Sequence, residues 1–270
     1  NSGKTTLFNR LTGARQRVGN YPGVTVEWKE GVRRTAAGDV RFVDLPGTYS
    51  LTAYSEEELV ARDYLLSERP DVVVDVVDAS NLERNLYLTT ELMELGLPLV
   101  VVLNMSDVAD ARGLRIDERQ LARRLGAPVV RAVGSRGEGL DALIASVLDV
   151  ASRNGDGEPA RVDFGAHVEP HVAEVVRALG DLDAPPPPRQ RRWFAVKLIE
   201  RDEKVLAQMG DSPAAGPAAA AAAELDLDGP DTSDIEVSRR RYAYIDGICR
   251  EAVTGGDRPI RDRTDQVDRV

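Results

Sequence analysis

The first residues of the chain have the types and spacing of a phosphate-binding loop. Residues 1–6 read Asn-Ser-Gly-Lys-Thr-Thr, and the apolar spacing after them predicts a helix. This is the second half of a P-loop, whose first Gly would precede the sequence. Gly3 would let backbone N–H groups approach phosphates, Lys4 would neutralise their charge, and the Thr5 hydroxyl would bind Mg²⁺. A plain helix start with a polar cap is the alternative.

Loops further along could complete this site. Asp44 follows a predicted strand and begins the segment Asp-Leu-Pro-Gly, where a carboxylate can hold Mg²⁺ through water and the Gly47 N–H can contact a γ-phosphate. Thr25, preceded by Gly23 and Val24, lies between the first helix and the next strand. A mobile loop there could bring the threonine hydroxyl to the metal. By itself, Asp-Leu-Pro-Gly is also compatible with an ordinary turn.

A base-recognition pattern follows another apolar strand. It consists of Asn104, Met105, Ser106 and Asp107. The Asp107 carboxylate can accept hydrogen bonds from the N1–H and the exocyclic amine of guanine, a pairing that adenine cannot reciprocate. A simple helix cap is the alternative. The order of all these signals along the chain predicts a nucleotide site that prefers guanine.

The elements that would position these loops alternate between strands and helices. Short apolar runs predict strands covered on both faces, and the amphipathic segments between them predict helices. This alternation indicates an α/β fold with a doubly wound, mostly parallel sheet. Strands are expected at 72–77, 99–103 and 128–130, helices at 86–95, 121–125 and 140–147, and an edge hairpin at 26–34 and 40–45.

The second half of the chain is predicted to be mainly helical. A turn-rich linker at 154–157 divides a first domain, 1–152, from a small all-helical domain, 158–270. The Ala-rich segment 213–223 is interpreted as a loop or a frayed helix. Helices are expected at 168–179, 194–209 and 235–253.

Composition limits the class of protein. The 270 residues suffice for about two domains. With 35 basic and 45 acidic side chains, the net charge of −10 argues against whole-chain binding of nucleic acid or anionic lipid. The single cysteine, Cys249, excludes an internal disulfide. No signal peptide is visible, and no apolar run approaches the roughly 20 residues of a membrane-spanning helix, so we expect a soluble, cytosolic polypeptide.

Several polar residues are interpreted as structural. His167 and His171 have the spacing of a helical metal pair, but the chain has 2 histidines in all, and a solvated helical turn is favoured. The basic clusters 189–192 and 239–241 are interpreted as solvated helix faces rather than lipid contacts. Asp75, inside an apolar strand, is assigned no role.

Once these residues are in view, the chain resembles the cytosolic N-terminal region of the FeoB family of bacterial ferrous iron transporters. In that family a GTPase domain is followed by a helical domain, called GDP-dissociation-inhibitor-like or spacer, and then by a polytopic membrane domain. The resemblance covers essentially the whole chain and is looser in the second half, at 192–194, 241–242 and 265–270. The closely matching segments are residues 1–13, 16–27, 44–51 and 76–88.

The resemblance implies a site for GTP or GDP with Mg²⁺ and K⁺. The K⁺ ion, helped by Asn1, would supply the charge that an arginine finger otherwise brings to the transition state. The Mg²⁺ ligands would be Thr5, Thr25 and, through water, Asp44. The catalytic residues would be Lys4, Thr25 and Gly47. The nucleotide-binding residues would be Asn1, Ser2, Gly3, Lys4, Thr5, Thr6, Gly23, Val24, Thr25, Asp44, Gly47, Asn104, Met105, Asp107, Val133, Gly134 and Ser135.

The resemblance also implies partners and a location. The chain would be the switch region of a bacterial iron transporter at the cytoplasmic face of the cell membrane. It would couple its nucleotide state to the passage of Fe²⁺, the transported substrate, through the parent protein's own membrane domain. A small cytosolic Feo-type accessory protein and a homo-oligomeric parent are further expectations, whereas nucleic acid is not expected as a partner.

The chain departs from other GTPases at positions that matter for chemistry. Thr48 stands where Ras-like enzymes carry the Gln that orients the attacking water, and the loop contains no Gln. We therefore expect slow hydrolysis that K⁺ stimulates. Val133 and Gly134 stand where many GTPases carry Ser-Ala near the base. This difference predicts weaker contacts with the base and faster GDP release.

Other functions share the same loops. A ribosome-assembly or tRNA-modification GTPase would carry a basic RNA-binding appendage, which the acidic second half does not show. A GTP-sensing regulator without useful turnover would bind GTP but show no acceleration by K⁺. The chain by itself could also bind nucleotide poorly, because the first strand and first P-loop Gly would precede it.

Overall fold

The computed structural model describes residues 2–13, 16–21, 24, 26–52, 55–153, 160–227 and 231–255. Asn1, Gly23 and Thr25, which the sequence assigns to the nucleotide site, lie outside the described residues. The same holds for the linker 154–157 and for the terminal segment 265–270.

Helices and strands alternate through the first half of the described chain. The helices are α1 (Lys4–Thr12), α2 (Glu56–Glu68), α3 (Leu82–Glu94), α4 (Ser106–Ala111), α5 (Glu118–Leu125) and α6 (Leu140–Ser152). The strands are β1 (Gln16–Asn20), β2 (Glu27–Thr35), β3 (Gly38–Asp44), β4 (Val73–Asp78), β5 (Leu99–Asn104), β6 (Arg115–Ile116) and β7 (Val129–Arg131).

The second half is helical, apart from a short strand at its end. It contains α7 (Gly165–Gly180), α8 (Arg191–Ile199), α9 (Glu203–Met209), α10 (Ala215–Leu227), α11 (Ser233–Ala252) and β8 (Val253–Thr254). Strand β8 pairs antiparallel with β6, which lies directly before α5. The last described strand of the second half is therefore paired with a strand of the first half.

The described strands form parallel and antiparallel sheets. Strands β4, β5 and β7 are parallel and adjacent in that order, with Val76 opposite Val102 and Val102 opposite Val130. Strands β1, β2 and β3 form an antiparallel sheet, in which β2 and β3 are the predicted edge hairpin. Strand β1 was not predicted, because its residues, Gln-Arg-Val-Gly-Asn, show neither an apolar run nor an alternation of apolar and polar residues.

Strand β5 explains why helices cover both faces of the parallel sheet. All six of its residues are buried, and successive side chains point to opposite faces. Val100 and Val102 pack with α1 and α6, whereas Leu99, Val101 and Leu103 belong to the cluster that includes α3 and α5. This arrangement confirms the predicted α/β class, followed by a helical region.

The helical half packs on the α3 side of the sheet. Its large apolar side chains, including Phe164 and Trp193, belong to the same hydrophobic cluster as Leu86 of α3 and Leu121 of α5. Phe164 and Trp193 are 0% exposed. The two halves therefore share one continuous core, although their sequence patterns differ.

The structure corrects predictions in the helical half. The segment 194–209 divides into α8 and α9, because Arg201 has a positive φ of 58° and the Asp202 side chain caps α9. The Ala-rich segment is the helix α10, whose Ala218 and Ala221 are buried against neighbouring helices. The prediction that residues 239–241 form a solvated face is wrong for Arg241, which is 0% exposed.

Candidate functional site

The phosphate-binding pattern lies at the start of α1. Gly3 is the N-cap with φ 80° and ψ 20°, a left-handed conformation that favours glycine. A Cβ atom at Gly3 would also lie 2.4 Å from the Asn104 side-chain nitrogen, so a larger residue does not fit. Lys4 begins the helix, and Thr5 and Thr6 follow with exposed side chains. The positive end of the α1 dipole and exposed hydroxyls therefore lie together, as an anion-binding site requires.

The Lys4 ammonium lies against the loop that follows β3. Its Nζ is 2.5 Å from Asp44 Oδ1 and also donates to the Leu45 carbonyl. The Asp44 side chain is 8% exposed and that of Lys4 is 33% exposed. The structure thus brings together the cation and the carboxylate that the sequence places 40 positions apart.

Asn104 connects two loops of the site. Its side-chain nitrogen donates to the Ser2 carbonyl at 2.7 Å, and its Oδ1 accepts from the Gly134 N–H at 2.9 Å. Asn104 is 3% exposed, and its hydrogen bond with Gly134 is buried, whereas that with Ser2 is partly buried. Its side chain therefore fixes the phosphate-binding segment relative to residues 133–135. Sequence analysis assigned Asn104 to base recognition and did not foresee this bridging contact.

Two of the predicted base-contacting residues, Asp107 and Val133, line a cavity beside this bridge. The cavity has a volume of about 190 Å³. Met105 has a positive φ of 57° and precedes α4, which carries Asp107. The cavity lining includes Ser106, Asp107, Val133, Arg136 and Glu138. Residues 133–138 form a compact turn, closed by a bridge between Val133 and Glu138. The Asp107 carboxylate on the wall of this cavity can accept hydrogen bonds from the N–H donors of a base.

The remaining predicted site residues lie at the edge of this group. Gly47 is exposed in the segment between β3 and α2, and Val24 is half-buried. The Thr48 hydroxyl donates to the Ser50 carbonyl, within its own loop. Ser135 is exposed, and its carbonyl accepts from Arg10 of α1 at 2.6 Å.

The donor set fits a magnesium-bound nucleotide. An ammonium group, a carboxylate, helix-terminal hydroxyls and a glycine that leaves backbone accessible are the groups that hold phosphates and a hard cation. Among the described residues, no group of three or more His, Cys, Asp or Glu side chains is placed to hold a metal ion by itself. Mg²⁺ in nucleotide sites is usually held by one or two protein ligands together with phosphate oxygens and water.

Two side chains outside the predicted set, Tyr21 and Glu91, lie near the predicted site. Tyr21 lies before the loop that contains Thr25, and burial raises the pKa of its phenol to about 12, with Tyr64 and Asp44 adding to the shift. Glu91 of α3 is 0% exposed and accepts from the Leu51 N–H at 2.6 Å. Tyr21 lies in the segment 16–27 that matches the family, but its residue type alone does not predict a role, and Glu91 lies outside the matching segments.

Fold and site together define a P-loop GTPase. Gly-Lys-Thr begins α1, Asp-Leu-Pro-Gly follows β3, and Asn-x-x-Asp follows β5 beside a parallel sheet. The family model described as Ferrous iron transport protein B matches residues 1–147, and that described as FeoB cytosolic helical domain matches residues 164–254. The chain belongs to the FeoB family.

Relatives and solved structures agree with this assignment. The Fe(2+) transporter FeoB of Escherichia coli (strain K12) is 43% identical over 253 residues, which are 92% of this chain and 32% of that protein. The Fe(2+) transport protein A/Fe(2+) transporter FeoB fusion protein of Porphyromonas gingivalis (strain ATCC BAA-308 / W83) is 39% identical over 278 residues, or 100% of this chain and 33% of that protein. The chain therefore spans about a third of the length of these curated relatives.

The solved structures cover nearly the whole chain. A mutant of S. thermophilus NFeoB bound to GDP has a TM-score of 0.86 and 38% identity, covering 94% of this chain and 96% of that one. The cytosolic domain of the T. maritima FeoB iron transporter in a GMPPNP form has a TM-score of 0.78 and 33% identity, with 94% and 96% coverage. Within the described residues, no helix has the length and apolar content to cross a bilayer.

Proposed function

We propose that this chain binds and slowly hydrolyses GTP, as the nucleotide switch of a bacterial ferrous iron transporter. The observation that carries the proposal is the Asn104 bridge between Ser2 and Gly134. Ser2 is close in sequence to Lys4, which pairs with Asp44, and Gly134 follows Val133, which lines the Asp107 cavity. The GDP and GMPPNP forms of the similar structures support a guanine nucleotide.

Each site residue then has a physical role. Backbone N–H groups around Gly3 and the Lys4 ammonium hold the phosphates. Thr6 belongs to the first turn of the same helix. The Thr5 hydroxyl and, through water, the Asp44 carboxylate bind Mg²⁺, which when bound neutralises phosphate charge. The Gly47 N–H would contact the γ-phosphate, and the Thr25 hydroxyl would be a further ligand of Mg²⁺.

The base is recognised at the other end of the site. Asp107 accepts hydrogen bonds from the guanine edge, with Met105 beside it. Residues 133–135 contribute backbone contacts, positioned by Asn104. Hydrolysis is slow because Thr48, which directs its hydroxyl to the Ser50 carbonyl, is too short to orient an attacking water. A K⁺ ion held with the help of Asn1 supplies the missing positive charge.

The parent protein would use this switch to control the passage of Fe²⁺ across the membrane. A GTPase domain over 1–152 and a helical domain over 158–270 precede a membrane domain, through which Fe²⁺ passes as the substrate. The chain then lies at the cytoplasmic face of the membrane. An Feo-type accessory protein would be its partner, and the parent protein would be a homo-oligomer. The names of the relatives, one of them a fusion with transport protein A, support this placement.

The first test measures nucleotide binding and turnover. GTP binding should exceed ATP binding, and GTP turnover should increase several-fold when K⁺ replaces Na⁺. The Asp107→Ala variant should lose guanine selectivity. The control is Asp149→Ala, which removes an exposed carboxylate of α6 that pairs with Arg153, away from this cavity.

The outcomes separate the alternatives. Equal affinity for GTP and ATP would contradict the proposal. Tight GTP binding with no cation effect would retain the guanine switch, discard the K⁺ mechanism and favour a GTP-sensing regulator. Tight binding of RNA would indicate the ribosome-assembly or tRNA-modification class.

A further inference from the structure

An arginine contacts the carboxylate that the proposed function assigns to guanine. Arg136 Nη2 lies 3.3 Å from Asp107 Oδ2, and Arg136 Nε lies 2.9 Å from Glu138 Oε1. Both Asp107 and Arg136 line the 190 Å³ cavity. The base-recognising group is therefore already engaged by a cation of the same chain.

The chemistry of this contact resembles that of the base. A guanidinium group presents N–H donors on nitrogens joined through one carbon, and the N1–H and exocyclic amine of guanine have the same N–C–N arrangement. Both groups offer a carboxylate parallel N–H donors in a plane. Arg136 and guanine therefore compete for the Asp107 carboxylate, whose Oδ2 is in contact with Arg136 Nη2.

The backbone keeps Arg136 beside the cavity. Its N–H donates to the Val133 carbonyl at 3.0 Å, and the Val133 N–H donates to the Glu138 carbonyl at 3.1 Å. Gly137 has a positive φ of 77°, which the tight turn requires. The turn is anchored to α1 through Arg10 and the Ser135 carbonyl. Only the side chain of Arg136 has to move to release Asp107.

Arg131, which also lines the cavity, is held by other partners and is not free to reach Asp107. Arg131 contacts Asp110 at 2.8 Å and Glu118 at 3.2 Å, and it also donates to the Ser106 carbonyl. These partners hold its guanidinium away from Asp107. Of the arginines that line the cavity, Arg136 is therefore the one placed to compete with the base.

The geometry points to Arg136 as an internal competitor that lowers the affinity of the site for guanine nucleotides. This inference rests on the proposed function. The apparent affinity falls in proportion to the fraction of molecules in which Asp107 is free. The side chains of Arg136 and Asp107 are 54% and 36% exposed, so the pair is a surface ion pair of modest strength. We expect it to weaken binding by about two- to fivefold.

The test compares the kinetics of a fluorescent GDP with wild-type protein, R136A and R136Q. Both variants should bind the nucleotide about two to five times faster and more tightly, with an unchanged dissociation rate, because the competitor acts on the free protein. The matched control is Arg115→Ala, which removes an arginine that pairs with Asp110 instead of Asp107. It should leave both rates unchanged.

Different failures have different meanings. Weaker binding or faster release in R136A and R136Q would show that Arg136 holds the nucleotide and would overturn the inference. Unchanged kinetics in both variants would overturn it too, while guanine selectivity of the wild type would leave the proposed function intact. If neither wild type nor variants preferred GDP to ADP, both conclusions would fall.

Discussion

Asp75 is a carboxylate buried within the parallel strand β4. It is 6% exposed and accepts a hydrogen bond from the Thr89 hydroxyl at 2.5 Å. Burial raises its pKa from 3.8 to about 6, a shift that the Thr89 hydrogen bond partly opposes. Because the folded state binds this proton more tightly than the unfolded chain, folding is favoured most below pH about 4. This contribution is lost as pH rises through about 6.

Asp75→Asn should therefore stabilise the protein above pH 6. The amide is neutral and can still accept from Thr89, so we expect the free energy of unfolding at pH 8 to rise by roughly 1–3 kcal/mol. At pH 4 the difference should be small. Urea unfolding at several pH values measures it, with exposed Asp71→Asn as the control. A pH-independent difference would contradict the assignment of the shift to Asp75.

Other residues show where sequence reasoning stopped. The sequence identified Asp75 as anomalous, because a charge interrupts an apolar run. It could not identify Arg241 as buried, because its partner Glu94 lies 147 positions away on α3. A basic cluster on a helix has the same local pattern whether it faces water or a distant carboxylate.

At the scale of elements, β2 lies against the helix that carries the phosphate-binding residues. A Cβ atom at Gly31 would lie 2.4 Å from Thr12 Cβ and 2.5 Å from Thr12 Cγ2. Because Gly31 has no side chain, α1 can approach the sheet at this point of β2. The position of α1 in turn sets where Lys4 meets Asp44.

Gly31→Ala should move α1 and reduce nucleotide affinity. Overpacking of this kind destabilises proteins by about 1–3 kcal/mol. The control is Gly247→Ala within α11, where an added Cβ meets no atom within 4 Å. That change should stabilise the helix by about 0.5–1 kcal/mol. Denaturant unfolding and nucleotide titration measure both variants, and equal stability of the two would refute the packing argument.

At the scale of the whole molecule, buried ion pairs join the two halves. Lys197 of α8 lies 2.8 Å from Glu91 of α3, and Arg241 of α11 lies 3.0 Å from Glu94. Their side chains are at most 1% exposed. Such pairs contribute little net stability, but removing one partner leaves an uncompensated buried charge.

Lys197→Met should therefore destabilise the protein by about 3–5 kcal/mol. The double variant Lys197→Met with Glu91→Gln should be more stable than Lys197→Met alone, because Glu91 then carries no buried charge. Glu200, the second partner of Lys197, keeps its contact with Arg241 in both variants. Urea unfolding followed by tryptophan fluorescence measures both. The exposed pair Arg250–Asp246 supplies the control, since Arg250→Ala should change stability by less than about 1 kcal/mol. Additive effects of the Lys197 and Glu91 substitutions would contradict direct pairing.

The sequence by itself determined the α/β class, the helical second half and the Gly-Lys-Thr, Asp-Leu-Pro-Gly and Asn-x-x-Asp motifs. Apolar periodicity and short motifs are local, so they can be read within ten or twenty residues. The tertiary structure decided that Asn104 bridges two loops, that Arg136 contacts Asp107, and that the halves share a core. These contacts join residues from different elements, and their partners depend on how helices pack against the sheet, which no local pattern records.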